Sequence, residues 1–287
     1  MGVIMVILLA SLSTPISKGP LHLQQLRQTL QQYSDTQNTT VSLVYMSTNS
    51  SESVALNPRL SVNPASVIKV PILIEAYRQL EMGRLKKGQL FEMKKEHLQK
   101  GAGRLKYHAL GTRYTIHDLL YHMIVNSDNT ATKMLIAILG QSRINEGIKR
   151  LGLRDTYLHT DNLLTGQPKN KASAYDMALL LHKLYRGEVI SKGASDEIVR
   201  LLSKQKYRWG IPQQLPKKLR VANKTGSLRW VSHDVGIVFF PDAPYILSIF
   251  VSDIKTTLQA RKQVAKLSQI VYQWQKKQKP FIMKSSF

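Results

Sequence analysis

Apolar positions change their spacing several times along the chain, and each change predicts a different kind of element. In residues 21–33 they recur at helical intervals, whereas residues 40–46 alternate as in a half-buried strand. Residues 53–56, beyond a turn-rich segment, are the predicted hairpin partner of that strand. From about residue 66 to 202 the period is helical, with breaks at Gly83, Gly88, Gly101 to Gly103 and Gly111. The remaining signals predict strands over 219–221, 235–240 and 245–251 and a helix over 256–275.

The order helix, strands, long helical insert, strands, helix predicts an α/β fold. We expect an antiparallel sheet flanked by the terminal helices, with an all-α domain inserted into it. The predicted sheet domain comprises residues 21–62 together with 213–280, and the inserted helical domain comprises residues 63–212. Residues 1–20 are predicted to be a signal peptide or an N-terminal anchor.

The first residues carry the compartment signal. Residues 3–10 form an uninterrupted apolar run, and the small residues Ser11, Ser13 and Ser17 follow it. About ten such residues are too few to span a bilayer, but they match the core of a signal peptide. No Lys or Arg precedes this core, which departs from the usual signal peptide, and a buried first strand or helix is the alternative. We predict an exported protein, periplasmic or extracellular, which this segment either releases or anchors.

Composition excludes several chemistries. The 287 residues are 43% apolar and include no cysteine, which excludes disulfides, zinc thiolates and a cysteine nucleophile. A formal net charge of +23 favours a polyanionic partner such as an anionic cell-envelope polymer, and a merely solvated basic surface is the alternative. No zinc-finger spacing, RNA-binding aromatic pattern or phosphate-binding loop is present, so a nucleic-acid partner is not expected.

The first chemical motif pairs Ser66 with Lys69. Pro64 suits the start of a helix, so Ser66 is predicted at a helix N-terminus, where N–H groups favour developing negative charge. Lys69 lies one turn further on, and a lysine kept neutral by burial can take the serine proton. Pro71 is expected to bend this helix. A second copy of the motif, residues 203–206, has no partner motifs and is interpreted as solvated surface.

The second motif is Ser127-Asp128-Asn129. It lies between the helical patterns 116–125 and 130–139 and is predicted to form the turn that joins them. Taken alone, these residues suit a helix cap and turn. In a catalytic interpretation the Ser127 hydroxyl relays a proton to the leaving nitrogen, the Asn129 amide binds a substrate amide, and Asp128 shapes the turn.

The third motif runs from Lys224 through Thr225 and a glycine to Ser227, after one predicted strand and before another. Lys224 would attract a substrate carboxylate, assisted by the two hydroxyls. The backbone N–H groups of Ser66 and Ser227 would form an oxyanion hole. Arg229 is a further candidate anchor for the carboxylate. The alternative is a hairpin turn with a solvated lysine.

These three motifs, in this order, resemble those of the class A β-lactamases and the wider penicillin-binding serine hydrolases, and the likeness covers residues 21–277. The resemblance implies a β-lactamase/transpeptidase-like fold, with an α/β sandwich and an all-α domain, and neither metal nor cofactor. It implies that Ser66 is the acylated nucleophile and that Lys69 and Ser127 transfer protons. The substrate-binding residues that it implies are Asn129, Lys224, Thr225 and Ser227.

One departure from that family concerns hydrolysis of the acyl-enzyme. Class A enzymes carry a Glu, followed four residues later by an Asn, on a loop that activates water, but residues 151–168 contain no Glu. Asp161 and His159 are the obvious substitutes for a general base, and Glu146 is a poorer one. We therefore expect acylation by β-lactams with slow deacylation. The alternatives are a cell-wall peptide hydrolase acting on D-Ala-D-Ala ends, or a non-catalytic protein that binds a polyanion.

Overall fold

A computed structural model of the chain describes residues 20–164 and 169–278. The predicted export segment, apart from residue 20, lies outside the described residues. No helix among those described is both long enough and apolar enough to cross a bilayer. The helices are α1 (Leu21–Asp35), α2 (Lys69–Glu81), α3 (Ile116–Val125), α4 (Asn129–Leu139), α5 (Gln141–Arg150), α6 (Ala174–Arg186), α7 (Lys192–Leu202) and α8 (Thr257–Gln278). The strands are β1 (Thr40–Ser47), β2 (Ser53–Leu56), β3 (Leu90–Glu92), β4 (Arg113–Thr115), β5 (Val221–Leu228), β6 (Val231–Val238) and β7 (Tyr245–Ser252).

Five strands form one antiparallel sheet in the order β2-β1-β7-β6-β5. The chain enters the sheet at β1, leaves after β2, and returns at β5 after the helical insert. The first and last strand segments are therefore neighbours, because β1 pairs along its whole length with β7. The predicted α/β fold, an antiparallel sheet with flanking terminal helices, is confirmed. The division into domains remains a prediction.

Two hydrophobic cores lie on opposite faces of the sheet. Helices α1 and α8 cover one face, and Leu26, Leu30 and Val264 are buried there with side chains from the strands. Helix α6 covers the other face and joins it to the helical layer. Helix α2 is buried on nearly all sides within that layer, which explains its continuous apolar sequence. Its first residue is Lys69, so the most enclosed helix begins at a predicted catalytic residue.

The breaks predicted at the glycines lie between residues 83 and 115, but the helix predicted between those breaks is wrong. This region contains the short antiparallel pair β3–β4 and single-turn 3-10 helices instead of an α-helix. Gly101, Gly103 and Gly111 have φ values of +89°, +94° and +85°, which a right-handed helix does not accommodate. Of its apolar residues, Leu85, Met93, Leu105 and Tyr114 are buried, whereas Leu90, Leu98, Tyr107 and Leu110 are exposed, so the region buries no continuous helical face.

One smaller prediction also requires correction, and one is untested. The strand predicted over 219–221 begins at Val221 and continues to Leu228, so the third motif lies inside a strand. The residues of the third motif are polar and show no apolar alternation, so the sequence did not indicate a strand there. Pairing with β6 along its whole length stabilises the strand instead. Pro71 is the third residue of α2, and in the first turn its missing N–H is one of those left free by the helix. The bend expected at Pro71 remains a prediction.

Candidate active site

Ser66 lies on a turn that leads into α2. The side chain of Asn63 accepts a hydrogen bond from the Ala65 amide at 3.0 Å, and Val67 N–H donates to the Pro64 carbonyl at 3.0 Å. Ala65 has φ +48°, a left-handed conformation that residues other than glycine seldom adopt. A 3-10 helix over Ala65–Ile68 then joins α2, so Ser66 lies in the first turn of a helical segment, as predicted.

Lys69 is fully buried and its amine points at the second motif. Nζ lies 2.7 Å from the Ser127 carbonyl oxygen, 2.8 Å from Asn129 Oδ1 and 3.2 Å from Ser127 Oγ. Burial lowers the pKa of Lys69 well below its usual range, and nearby Lys224 lowers it further, against partial opposition from Asp128. Lys69 therefore has the surroundings of a neutral amine that accepts a proton.

The second motif forms the turn between α3 and α4, as its flanking patterns predicted. Ser127 has φ +52°, and Asp128 Oδ1 accepts the Ala131 amide at 2.9 Å as the N-cap of α4. The other oxygen, Oδ2, accepts the Leu105 amide at 2.9 Å. The backbone N–H of Asn129 donates to the carbonyl oxygen of Ala102 at 3.0 Å. Asp128 thus fastens the turn to residues 100–105 and fixes where Ser127 and Asn129 lie.

Lys224 is the second buried lysine of the site. Its Nζ lies 3.0 Å from Ser127 Oγ and 2.8 Å from the Thr225 carbonyl oxygen. Burial lowers the pKa of Lys224 to about 7, although Asp234 acts in the opposite direction. The Ser127 hydroxyl therefore stands between two amines, hydrogen-bonded to both. A hydroxyl can donate to one partner and accept from another, so the hydrogen-bonded series Lys69–Ser127–Lys224 can transfer a proton.

Strand β5 runs directly beside the Ser66 turn. A Cβ atom at Gly226 would lie 2.7 Å from the Pro64 carbonyl oxygen and 3.1 Å from the Ser66 amide nitrogen. Only a residue without a side chain allows this approach. The next residue, Ser227, is half-buried and shares a hydrogen bond of 2.8 Å with Ser232. The backbone N–H groups that were predicted as oxyanion donors therefore belong to two segments in direct contact.

Arg229 lies at the exposed tip of the β5–β6 hairpin, two residues beyond Ser227. Its guanidinium stacks over the ring of Trp230, 4.5 Å from the centroid. This pairing gives Arg229 a cation–π partner at the rim of the site. The role of Arg229 in binding a carboxylate remains a prediction.

The loop that departs from class A enzymes, which begins at residue 151, has a neck: its two ends are joined by hydrogen bonds. Tyr157 and Lys171 form a β-bridge, and Asn170 Oδ1 accepts the amides of His159 and Thr160 at 2.8 and 2.9 Å. The His159 ring packs on that of Tyr157, with 4.4 Å between centroids. Within residues 20–164 and 169–278, no hydrogen bond joins His159 to the catalytic groups.

Asp161, in the same loop, is paired with another residue. Its Oδ2 lies 3.8 Å from Lys133 Nζ on α4, and its side chain is 40% exposed. Glu146 is exposed on α5. The structure therefore assigns neither carboxylate to the groups around Ser66, and the base that would activate water stays a prediction.

Sequence reasoning missed two buried polar residues behind the site, both on β6. Asp234 accepts hydrogen bonds from Asn223 and from the Ile211 amide, and burial raises its pKa to about 7. His233 contacts the turn that carries Ser66. Both precede the strand predicted over 235–240, because β6 begins earlier, at Val231, so no apolar pattern marked them as buried. In the described part of the chain, no three residues of metal-ligand type lie close enough together to hold an ion.

A serine on a strained turn, a buried lysine one helical turn away, and a hydroxyl between two lysine amines define a serine hydrolase of the β-lactamase type. The profile of the beta-lactamase enzyme family matches residues 24–275, and the chain belongs to that family. Beta-lactamase VEB-1 of Pseudomonas aeruginosa is 24% identical over 247 residues, which cover 79% of this chain and 82% of that protein.

Other relatives include penicillin-binding and peptidase proteins. The D-alanyl-D-alanine carboxypeptidase DacF of Bacillus subtilis is 26% identical over 159 residues, covering 53% of this chain and 40% of that one. Among solved structures, PBP-A is 27% identical with a TM-score of 0.85, covering 89% of this chain and 97% of that one. A leucine-to-glutamate variant of PBP-A, solved as an acyl-enzyme complex with penicillin G, is 28% identical with the same TM-score.

Proposed function

We propose that β-lactams acylate this protein at Ser66 and that the acyl group leaves slowly. The observation that carries the proposal is the hydrogen-bonded chain Lys69–Ser127–Lys224 beside the Ser66 turn. These groups supply what acylation needs. The loop that class A enzymes use to hydrolyse the product has no Glu in this chain.

In the proposed acylation, the neutral Lys69 amine takes the proton of Ser66 as its oxygen attacks the lactam carbonyl. A bond forms between that oxygen and the carbonyl carbon, and the carbon–nitrogen bond of the ring then breaks. The proton passes from Lys69 through the Ser127 hydroxyl to the leaving nitrogen. The N–H groups of Ser66 and Ser227 bind the oxyanion. No external co-reactant is required.

The same geometry would hold the substrate. Lys224 would attract its carboxylate, and the hydroxyls of Thr225 and Ser227 would complete that site. Asn129 is bonded through its Oδ1 to Lys69 and through its Nδ2 to a backbone carbonyl, at 2.8 and 2.9 Å. Its amide is therefore fixed in orientation before a substrate arrives, and it would bind the amide of the β-lactam side chain.

Intact-protein mass spectrometry after mixing with penicillin G tests this proposal. We expect an adduct of the mass of penicillin G that persists after free drug is removed, because no Glu activates water for its release. Ser66→Ala should give no adduct. Steady and rapid hydrolysis of nitrocefin by the purified protein, lost in Ser66→Ala, would contradict slow deacylation while leaving acylation at Ser66 intact.

A cell-wall peptide hydrolase is the second candidate, and its support is the likeness to the carboxypeptidase DacF. A peptide that ends in D-Ala-D-Ala presents a carboxylate and an amide in the positions that Lys224 and Asn129 would bind. Release of D-alanine from such a peptide, absent in Ser66→Ala, would establish this activity. Failure of both penicillin and the peptide to acylate Ser66 would favour the third candidate, a non-catalytic binding protein.

The proposal includes an exported location and an anionic partner. The N-terminal apolar run and the charge of +23 support them, since a basic enzyme would be retained at a negatively charged cell envelope. Co-sedimentation with purified anionic wall polymer should weaken as salt rises, because screening shortens the reach of surface charge. Sedimentation that salt does not change would contradict an electrostatic partner.

Acylation is expected to depend on pH with a maximum. Burial lowers the pKa of Lys69 well below its usual range, so the rate should rise with pH as this amine loses its proton. Burial lowers the pKa of Lys224 to about 7, so the charge that attracts the carboxylate should fade above that value. The arginine of Lys224→Arg keeps its charge at all accessible pH values. The variant should therefore lose the fall in acylation rate at high pH and keep the fall at low pH. An unchanged alkaline limb in this variant would assign the decline to another group.

A further inference from the structure

A buried histidine outside the three motifs holds the turn that carries the nucleophile. The His233 ring is fully buried and stacks on Phe250 with 4.3 Å between centroids. Its Nε2 lies 2.9 Å from the Asn63 carbonyl oxygen, and its Nδ1 lies 3.2 Å from the Val251 amide nitrogen. A backbone N–H only donates, so Nδ1 accepts and Nε2 carries the proton that is donated to Asn63. Burial lowers the pKa of His233 to about 4, which keeps this neutral form at neutral pH.

The bonded carbonyl belongs to the residue that starts the strained turn. Asn63 is held at both ends, because its carbonyl accepts from His233 and its side chain accepts from the Ala65 amide. Ala65 itself has φ +48°. A conformation of this kind persists only where surrounding contacts enforce it. Without the bond from His233, the turn would be free to relax toward ordinary backbone angles and move the Ser66 amide that follows it.

The sheet holds the turn with two opposing residues. His233 on β6 is the cross-strand partner of Gly226 on β5. Gly226 approaches the turn so closely that a Cβ atom there would lie 2.7 Å from the Pro64 carbonyl oxygen. One residue of the pair therefore limits the turn by close packing and the other by a hydrogen bond. Together they set the height of the Ser66 amide above the sheet.

We propose that His233 is a positioning residue for acylation, whose Nε2–H holds the Asn63 carbonyl and so fixes the Ser66 amide where an oxyanion donor must be. This inference rests on the proposed acylation at Ser66. A donor displaced by a fraction of an ångström loses much of its effect on the transition state while substrate binding changes little. His233 thus acts through Asn63 and never touches the substrate.

Three variants test the proposal. His233→Phe keeps a ring against Phe250 but cannot donate, and His233→Gln returns a side-chain N–H near the position of Nε2. Val264→Ala creates a cavity among the residues packed between α8 and the opposite face of the sheet, and serves as a destabilised control. The rate of adduct formation with penicillin G is measured against drug concentration, which separates the limiting acylation rate from the apparent dissociation constant.

His233→Phe should lower the limiting rate by about tenfold to a hundredfold while the apparent dissociation constant changes by less than about threefold. His233→Gln should recover most of that rate, and Val264→Ala should keep it at a temperature well below its unfolding transition. If His233→Phe does not fold, His233→Asn replaces it, because its side chain is too short to reach the Asn63 carbonyl. A full limiting rate in the non-donating variant, or an equal loss in Val264→Ala, would overturn the proposal.

Amide hydrogen exchange over residues 61–68 gives a second readout that does not require acylation. Exchange in this segment should be faster in His233→Phe than in wild type, and close to wild type in His233→Gln and Val264→Ala. If wild type forms no adduct, the proposed function fails and exchange alone decides the role of His233. Equal exchange in wild type and His233→Phe would then reject it.

Discussion

Lys69→Met is expected to lower the rate of acylation by penicillin G by about a thousandfold, the size of effect that a positioned general base supplies. Methionine has a similar length and fills the buried space, but it cannot accept a proton. Among the described residues, the hydrogen-bond partners of the Lys69 amine are the Ser127 carbonyl, the Ser127 hydroxyl and Asn129 Oδ1. None of these groups is a base that could replace the amine. Stopped-flow or quench measurements of adduct formation would give the rate.

The folded state should survive this change. Burial of the Lys69 amine is unfavourable, as its lowered pKa indicates, so removing it offsets the hydrogen bonds that are lost. We expect the melting temperature of Lys69→Met to stay within about 5 °C of wild type. Lys266→Met, on the exposed face of α8, is a matched control that should acylate normally. Near-normal acylation by Lys69→Met would place the base elsewhere.

Gly103→Ala is expected to destabilise the protein by about 3 kcal/mol and to slow acylation by about a hundredfold. A Cβ atom at this position would lie 2.0 Å from Asp128 Oδ2 and 2.4 Å from Asp128 Cα. The second of these is a backbone atom, so no side-chain rotation relieves the clash. The turn must move, and Ser127 and Asn129 move with it. Urea unfolding and the rate of adduct formation measure the two effects.

Gly111→Ala is the matched control for that substitution. Its φ of +85° is close to the +94° of Gly103, but nothing lies within 4 Å of the Cβ position. Only the backbone strain remains, about 1–2 kcal/mol, and acylation should be normal. If the two alanine variants lost equal stability and activity, the contact with Asp128 would not be the cause.

The sequence predicted the parts of the site that depend on local order. Ser66, Lys69 and the turn at Ser127 each sit at or beside a helix boundary, and proline, apolar period and capping residues reveal such boundaries. Strands β1, β2 and β7 were predictable for the same reason, because alternation or an apolar run marks them.

The features that the sequence did not predict depend on contacts between segments far apart in the chain. Residues 223–227 are polar and carry no strand pattern, yet they pair with β6 because the sheet continues there. Between the glycine breaks of residues 83–115 the sequence predicted helix, but those segments form the pair β3–β4 and single-turn 3-10 helices. The contact of His233 with Asn63 joins residues 170 positions apart, and no local spacing encodes it. The roles of the motif residues remain predictions that the experiments above address.

The neck of the loop between residues 153 and 172 has a consequence for how such proteins change over evolutionary time. Asn170 and the bridge between Tyr157 and Lys171 join the two ends of this loop through the backbone of residues 157–160 and 171. Ser66, Lys69 and Ser127 lie on other elements, so the residues proposed to capture a β-lactam and the loop proposed to govern its release belong to separate parts of the fold. If acylation proceeds at Ser66 as proposed, selection can change how fast the drug is released through this loop without rebuilding the elements that would capture it.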